Sequence, residues 1–481
     1  MLELCRHAVG AARSLGADYA DARVMEIRNQ HLATEDQRVS GVHDAESMGI
    51  GVRVIVAGAW GFSATSRLTR PDAERAVRQA VEIARSGAAA RATRELHWAD
   101  EPPHVAEYRT PVRKDPFAVP VEDKIGLLLE VNKRALGVKG VTKCYSHMHF
   151  RRQHRWLATS EGAAIESDVC TSTACCTATA VNGTTAKQRY LEATPCNIGY
   201  EHIEQTPFLE EAERVGAEAV EHLSAKSCPS GQKDLILLPS HLALTMHESI
   251  GHATELDRAI GMEESLAGSS FATPDQIGKL KYGSPMMNVV ADNTLPVGCA
   301  SMGFDDDAVE CQRYDLVREG MLAGFMCSRD TAHAMDAARS NGSCRADSWG
   351  SIPIVRQSNF SLEPGEAPLT LEELIADTKD GILIDGMGSF SIDQKRYNFQ
   401  FGGDCFWEIK NGKLAGMLKD VTYWAITTDF WGSLDAICDR RFWEPIGVMN
   451  CGKGDPMQIA QMSHCTAPAR FRQINVGPAN R

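Results

Sequence analysis

Residues 234–252 read DLILLPSHLALTMHESIGH. The first five residues, 234–238, form an apolar run typical of a buried strand. Pro239 and Ser240 follow this run and mark the start of a helix, because proline is tolerated in a first helical turn. We therefore expect a buried strand that leads directly into a helix carrying two histidines and a glutamate.

The end of this segment contains the residue types that hydrolytic zinc chemistry requires. His247 and His252 offer neutral imidazoles as ligands, and Glu248 is a carboxylate that can take a proton from metal-bound water. The alternative is an ordinary helix with one histidine in the core and the other exposed. The polar residues at 254–258 favour the metal site, because their carboxylates can orient ligating histidines.

The spacing of the two histidines is unusual for a helical zinc motif. His252 lies five positions after His247, and five steps of an α-helix rotate a side chain by about 140°, whereas four steps return it to within about 40°. A regular helix would therefore point the imidazoles apart. Either the helix is locally widened, or it ends at Gly251, whose missing Cβ lets the backbone leave regular geometry.

The residues before this segment predict a mixed α/β N-terminal part. Helical spacing, alternation and turn residues indicate a helix at 2–15, a strand at 49–56, helices at 71–86 and 121–136, strands within 141–181 around a turn at 160–162, and a helix at 207–223.

Short strand-like runs separated by Gly, Asp and Asn dominate the residues after 272. They lie at 287–291, 303–307, 313–324, 381–407 and 414–428. The chain is thus predicted to have an α+β fold, in which a sheet-rich, barrel-like C-terminal domain carries the zinc-motif helix. The predicted division is an N-terminal subdomain at 1–95, a connector at 96–120, a middle α/β subdomain at 121–228 and the C-terminal domain at 229–481.

Composition excludes several classes of function. The 481 residues include 50 basic and 63 acidic ones, and the formal charge of −13 argues against a nucleic-acid or anionic-lipid partner. We expect no membrane span and no signal peptide. The 15 cysteines show no repeated spacing and are expected to be reduced, as in a cytoplasmic protein.

Other candidate sites are weaker. His147 and His149 fall on one face of a predicted strand and form a possible metal pair, but no carboxylate base adjoins them. Cys170, Cys175 and Cys176 could ligate a structural metal, although a strand of small residues is the preferred interpretation. The acidic triplet at 305–307 lacks the spaced oxygen ligands of a calcium loop and is expected to be a solvated turn.

The chain resembles the TldD/PmbA family of metallopeptidases along nearly its whole length. The likeness is carried by MHESIGHATELDRAIGMEESLAGSSF at 246–271, KYGSPMMNVVADNTLPVGCASMGFDDDAVECQR at 281–313, GIGVRVIVAGAWGFSAT at 49–65, TSEG at 159–162, RADSWGSIPIVRQSNFSLEPG at 345–365 and GVMNCGKGDPMQ at 447–458. A match of this extent, in order along the chain, is far more specific than the zinc motif.

The resemblance implies a third protein ligand, because catalytic members of the family complete the zinc site with a cysteine near the C-terminus. The matching residue is Cys451. Two imidazoles and one thiolate leave the fourth position of a tetrahedral zinc open for water. Arg345, Asp347 and Arg356 lie in another matched stretch and are candidate substrate contacts, with surface ion pairing as the alternative.

The leading hypothesis is a metallopeptidase with one Zn²⁺ per chain, held by His247, His252 and Cys451, and with Glu248 as the base that activates water. The resemblance implies an unstructured or extended peptide as substrate. It also implies a dimer, formed with a second copy or with a related subunit that lacks the zinc ligands. The alternatives are a non-catalytic, peptide-binding or regulatory subunit and a protein that zinc stabilises structurally.

Overall fold

The first half of the chain forms one sheet in the computed structural model, which describes residues 1–90 and 96–479. The strand order is β3-β2-β1-β5-β6-β4, with β7 also beside β6, and every pairing is antiparallel except that of β4 with β6. The strands are β1 Tyr19–Glu35, β2 Arg38–Val56, β3 Ala59–Thr65, β4 Val105–Arg109, β5 Val141–Thr159, β6 Ala164–Asn182 and β7 Thr185–Cys196.

Five helices cover one face of this sheet. They are α1 Leu2–Ser14, α2 Arg70–Ala90, α3 Val121–Gly137, α4 Glu201–Gln205 and α5 Phe208–Ser224. The inward side chains of the strands alternate along the chain, as in Ala22 and Val24 of β1 beneath α1 and α2, and Met148 and Phe150 of β5 beneath α3 and α5. The opposite face of the sheet is left for the second half of the chain.

The second half of the chain forms two further large sheets and one strand pair. Its helices are α6 Pro239–Met246, α7 Leu256–Ala259, α8 Leu371–Ala376 and α9 Thr427–Gly432. Its strands are β8 Lys226–Ser227, β9 Gly231–Leu237, β10 Val289–Asp292, β11 Arg313–Arg318, β12 Met321–Leu322, β13 Cys344–Arg345, β14 Ile354–Val355, β15 Phe360–Leu362, β16 Asp380–Asp385, β17 Phe390–Ile392, β18 Asn398–Phe401, β19 Cys405–Lys410, β20 Lys413–Lys419, β21 Val421–Ile426, β22 Leu434–Ile437, β23 Glu444–Lys453, β24 Gln458–Thr466 and β25 Ala469–Pro478.

One hydrophobic core joins the two large sheets of the second half. The ten-stranded sheet has the order β17-β18-β21-β25-β9-β16-β19-β20-β8, with β22 beside β25, and the six-stranded sheet has the order β12-β11-β10-β15-β24-β23. This core contains Leu235 and Ile382 of the ten-stranded sheet and Val289 of the six-stranded sheet. Met246 and Ile250 of the motif segment belong to the same core. The motif helix is therefore buried between two sheets.

The predicted α+β class is confirmed, and the sheets of the C-terminal unit are open, with no closed barrel in the part of the chain that the structure describes. The predicted helices of the first half are confirmed as α1, α2, α3 and α5, and the turn at 160–162 lies between β5 and β6. The domain division stays a prediction: strands from both sides of residues 96–120 share one sheet, and residues 91–95 lie outside the described part.

No helix within residues 1–90 and 96–479 combines the length and the apolar composition needed to cross a bilayer.

The acidic triplet at 305–307 is not a solvated turn, so that expectation was wrong. Asp305, Asp306 and Asp307 are fully buried. Asp307 accepts a hydrogen bond from Arg53 at 2.7 Å, and Asp306 accepts one from Arg155 at 2.8 Å. Both arginines lie on the first sheet, on the face away from its helices, so these ion pairs join the two halves of the chain. The local sequence does not predict these ion pairs, because the arginines are 150 or more residues away from the aspartates.

Replacing Asp307 with Asn should lower the free energy of unfolding by about 1.5–3 kcal/mol, because the buried guanidinium of Arg53 loses one of its two carboxylate partners and keeps only Asp21, at 2.8 Å. The matched control is Asp315→Asn, since Asp315 pairs with the exposed Arg318, and such a pair contributes about 0–1 kcal/mol. Urea unfolding followed by tryptophan fluorescence measures both variants. Equal midpoints for the two variants would contradict the assigned role of Asp307.

Candidate metal centre

The motif helix is widened at the histidines. Regular α-helix ends at Met246, and residues His247–Gly251 form a π-helical turn in which the backbone N–H of His252 donates to the carbonyl of His247. This i→i+5 bond adds a residue to the turn and returns His252 to the side of the helix that His247 occupies. The two ring centroids lie 4.7 Å apart. Of the two geometries that the spacing allowed, the widened helix is the one observed.

Gly251 is required for a different reason from the one expected. Its dihedral angles are helical, with φ −52° and ψ −61°, so the chain does not use the conformational freedom of glycine here. A Cβ atom at this position would lie 2.2 Å from Oε1 of Gln357. Gln357 needs this space because its Nε2 donates to the carbonyl of His247 at 3.2 Å. The missing side chain thus lets a bracing amide approach the helix.

Side-chain hydroxyls satisfy carbonyl groups around the π turn, where the regular helical hydrogen bonds are interrupted. Ser249 Oγ donates to the carbonyl of Thr245 at 2.6 Å, and Thr254 Oγ1 donates to that of Ile250 at 2.9 Å. The hydroxyl of Tyr282 donates to the carbonyl of Ser249 at 2.5 Å. A buried carbonyl without a donor destabilises a fold, so these side chains make the irregular turn tolerable.

Cys451 joins the two histidines from the far end of the chain. It lies on β23, where the pairing with β24 is irregular between Val448 and Cys451; irregularities of this kind re-aim side chains near active sites. Its Sγ lies 3.6 Å from Nε2 of His252, and the ligand atoms of His247, His252 and Cys451 all lie within 4.8 Å of one another. Three buried side chains thus converge on one point.

The second nitrogen of each imidazole is held by a buried partner. Nδ1 of His252 lies 2.8 Å from Oε2 of Glu255, and Nδ1 of His247 lies 2.7 Å from Nε2 of His464. Both contacts leave Nε2 of the ligand free for a metal ion. The expectation that residues 254–258 supply an orienting carboxylate is confirmed by Glu255. His464 was missed, because one histidine in an alternating strand has no informative spacing.

Lys453 connects the carboxylates behind His252 to the strand of Cys451. Its Nζ lies 2.7 Å from Asp257 and 3.2 Å from Glu255, and all three side chains are buried. Burial alone would raise the pKa of Glu255, but Lys453 and His252 hold it well below its usual value. Glu255 therefore remains a carboxylate and accepts the N–H of the His252 ring.

Glu248 lies at the same end of the motif helix and is 5% exposed. Its Oε2 accepts a hydrogen bond from Nη1 of Arg396 at 3.0 Å. Arg396 belongs to the turn between β17 and β18, far from the motif in sequence. The sequence predicted the glutamate but not its cationic partner.

The donor set fits a zinc ion. Burial lowers the pKa of His247 and so favours the neutral imidazole that ligation requires. Burial alone would raise the pKa of the Cys451 thiol, but His252 and then Arg356 outweigh this effect and lower it, which favours the thiolate. Within the described residues the cluster comprises three protein ligands, the number typical of catalytic rather than structural zinc.

The residues predicted to contact substrate form hydrogen bonds with nearby backbone groups. They are Arg345, Asp347 and Arg356. Arg345 donates to the carbonyls of Gln357 and Gln461 at 2.6 and 2.7 Å. Arg356 donates to the carbonyl of Cys451 at 2.5 Å. Asp347 accepts the backbone N–H of Ile459 at 3.1 Å. These contacts brace the strands around Cys451, and a role in substrate binding stays a prediction.

The weaker candidate sites have other structural places. His147 and His149 share a strand face with His31, whose ring centroid lies 5.6 Å from that of His147. Burial lowers the pKa of both His147 and His149 to about 4, so these rings are neutral. Residues 170–176 lie within β6, as the interpretation of a small-residue strand predicted.

Family models match the chain over three consecutive regions. Residues 20–84 match domain 1, residues 114–226 match the central domain and residues 230–477 match the C-terminal domain of the PmbA/TldA metallopeptidases. The last match alone covers more than half of the chain. The chain belongs to the TldD/PmbA family of metallopeptidases, and the resemblance found in the sequence is confirmed.

Relatives match over almost their full lengths. A metalloprotease of Methanocaldococcus jannaschii is 28% identical over 93% of this chain and 95% of its own length. A zinc metalloprotease TldD homolog of Saccharolobus solfataricus is 23% identical over 97% of this chain and 98% of its own length. The crystal structure of TldE from Thermococcus kodakarensis shares the fold, with a TM-score of 0.76, 15% identity and coverage of 98% of this chain and 100% of that one.

Replacing Gly251 with Ala should weaken zinc binding at least tenfold, because the new Cβ cannot coexist with Gln357 and must displace either the amide or the π turn. Zinc affinity is measured by competition with a chromophoric chelator. The matched control is Gly126→Ala, which changes a helical glycine where a Cβ meets open space. Unchanged affinity in Gly251→Ala would contradict the steric account.

Replacing His464 with Ala should weaken zinc binding by about 10- to 100-fold, the usual effect of removing a group that orients a metal-ligating histidine. The exposed His43 supplies the control variant, His43→Ala, which should bind zinc as the parent does. A normal zinc affinity in His464→Ala would show that His247 needs no partner at Nδ1.

Proposed function

We propose that this chain is a zinc-dependent peptidase that hydrolyses extended or unstructured peptides, with Glu248 as the general acid and base. One observation carries the proposal: His247, His252 and Cys451 converge within 4.8 Å at the turn that also carries Glu248. The names of its relatives, a metalloprotease and a zinc metalloprotease, agree with this chemistry.

The proposed reaction divides the work between the metal and the chain. Zinc, one ion per chain, would be held by His247, His252 and Cys451 and would supply Lewis acidity, which activates water and polarises a carbonyl. Glu248 takes a proton from the attacking water as the new C–O bond forms. It then gives that proton to the amine nitrogen as the C–N bond breaks. His464 and Glu255 keep the ligating rings oriented throughout.

The position of β23 suits an extended substrate. This strand carries Cys451 and is the last strand in the six-stranded sheet, where it pairs with β24. Asn450 and Gly452, the neighbours of Cys451, are exposed. A peptide that adds to such an edge is bound through its backbone, and its side chains then have little influence on binding. We infer weak sequence preference from this arrangement.

The proposal extends to a dimer and to a cytoplasmic location. A solved TldE shares the fold, and we propose that the working form pairs this chain with a second copy or with a related subunit. All fifteen cysteines are free thiols, which suits a reducing compartment.

Replacing Glu248 with Gln should lower kcat by about 10²- to 10⁴-fold, because the amide cannot take the proton of water. Zinc content should remain near one ion per chain. A mixed pool of unstructured peptides, analysed by mass spectrometry with and without chelator, identifies cleaved bonds, and one cleaved peptide then serves for kinetics. The control variant Glu221→Gln alters an exposed glutamate of α5 and should cleave like the parent.

The same experiment separates the alternatives. Retained turnover in Glu248→Gln would refute the role of the glutamate. Parent protein that binds peptides but cleaves none would identify a binding subunit. Zinc that stays bound in Cys451→Ala would remove Cys451 from the ligand set.

A further inference from the structure

The guanidinium of Arg396 contacts the carboxylate of Glu248. The reaction proposed above gives this arginine no role. Its Nη1 lies 3.0 Å from Oε2 of Glu248, and the two side chains are 14% and 7% exposed. A largely buried arginine at this distance from the proposed base is placed to contact the group on which that base acts.

The turn that carries Arg396 holds it rigidly. The carboxylate of Asp393 accepts the backbone N–H groups of Tyr397 and Asn398 at 2.9 and 3.0 Å. The hydroxyl of Thr427 donates to the carbonyl of Arg396 at 2.8 Å. Arg396 itself has a φ of +64°, a positive value shared by other residues in hairpin turns of this chain, such as Asp36 and Asn411. The hydrogen bonds thus hold the turn that carries this side chain.

The guanidinium has hydrogen-bonding capacity to spare. Arg396 carries five N–H donors, of which one bonds to Glu248, and its buried Nε has no partner in the structure. An arginine with unused donors therefore lies beside the proposed base.

We propose that Arg396 is a catalytic residue that donates to the carbonyl oxygen of the scissile peptide bond while it holds Glu248 in place. This inference rests on the proposed function. As water adds to the carbonyl carbon, its proton passes to Glu248 and negative charge develops on the carbonyl oxygen. Arg396 stabilises that negative charge. The charge on the oxygen is lost when the C–N bond breaks and the amine takes the proton from Glu248. A fixed donor of this kind acts mainly on the transition state.

The test uses Arg396→Gly, since glycine accepts the positive φ without strain. Kinetics on a synthetic, quenched-fluorescence peptide of disordered sequence should show kcat lower by about 10²- to 10³-fold, as expected for loss of one such donor, with KM changed less than threefold. Added guanidinium chloride at millimolar concentration should restore part of kcat, and sodium chloride of equal ionic strength should not. Arg396→Lys should retain an intermediate kcat.

Lys395→Ala is the matched control, because it removes an exposed cation from the same turn and should leave kcat unchanged. A second measurement does not depend on turnover. Calorimetry with a phosphinic peptide, which mimics the tetrahedral geometry, should show about 100-fold weaker binding to Arg396→Gly, and the matching amide peptide should bind both proteins alike. Zinc content should match that of the parent.

The outcomes separate this inference from the proposed function. If Glu248→Gln abolishes cleavage while Arg396→Gly keeps kcat within threefold and binds the phosphinic peptide normally, Arg396 is only a structural ion-pair partner. If Arg396→Gly loses zinc, its role is likewise structural. If Glu248→Gln cleaves like the parent, the proposed function fails first, and the phosphinic peptide alone then decides whether Arg396 binds an oxyanion.

Discussion

The π-helical turn at residues 247–251 is the constraint on which the rest of the site depends. The second histidine lies five positions after the first, and the widened helix returns both rings to one side. Such a turn interrupts the regular backbone hydrogen bonds, and it lies between two sheets where no solvent can replace them. Hydroxyl groups of Ser249, Thr254 and Tyr282 therefore bond to carbonyls around it. These polar side chains stabilise the irregular turn and so make the geometry of the metal ligands possible.

The site also depends on the C-terminal strands, and it forms only when they are in place. Cys451 and His464 lie on β23 and β24, more than 190 residues after the motif, and each contacts one of its histidines. Lys453 ties the strand of Cys451 to the carboxylates behind His252. One hairpin thus supplies Cys451 as ligand, His464 as orienting partner and Lys453 as brace. Metal binding and the docking of that hairpin should therefore be energetically linked.

The two halves of the chain are joined by charge as well as by apolar contact. Asp306 and Asp307 of the C-terminal half lie against the helix-free face of the first sheet, where they form ion pairs with Arg155 and Arg53. Buried ion pairs of this kind contribute little net stability compared with apolar contacts, but they tolerate no displaced partner. They therefore fix the orientation of the first sheet over the unit that carries the metal centre.

Residue types and their spacing were enough to predict zinc hydrolysis at the site and the α+β class of the fold. His247, Glu248 and His252 predict zinc hydrolysis, because few other groups combine neutral ligands with an adjacent base. The alternation of short runs predicts the strands that surround them. These are local properties, set by residue type and spacing. The family resemblance added Cys451, which no spacing rule could have selected from fifteen cysteines.

The groups that contact those residues are visible only in the folded chain. His464, Lys453 and Arg396 have no informative spacing, because each reaches the site through sheet pairing or a turn far away in the chain. The burial of the triplet at 305–307 is of the same kind: an acidic run appears solvated until distant arginines neutralise it. Even Gly251, which the sequence marked as special, is explained only by the amide of Gln357 that packs where its side chain would be.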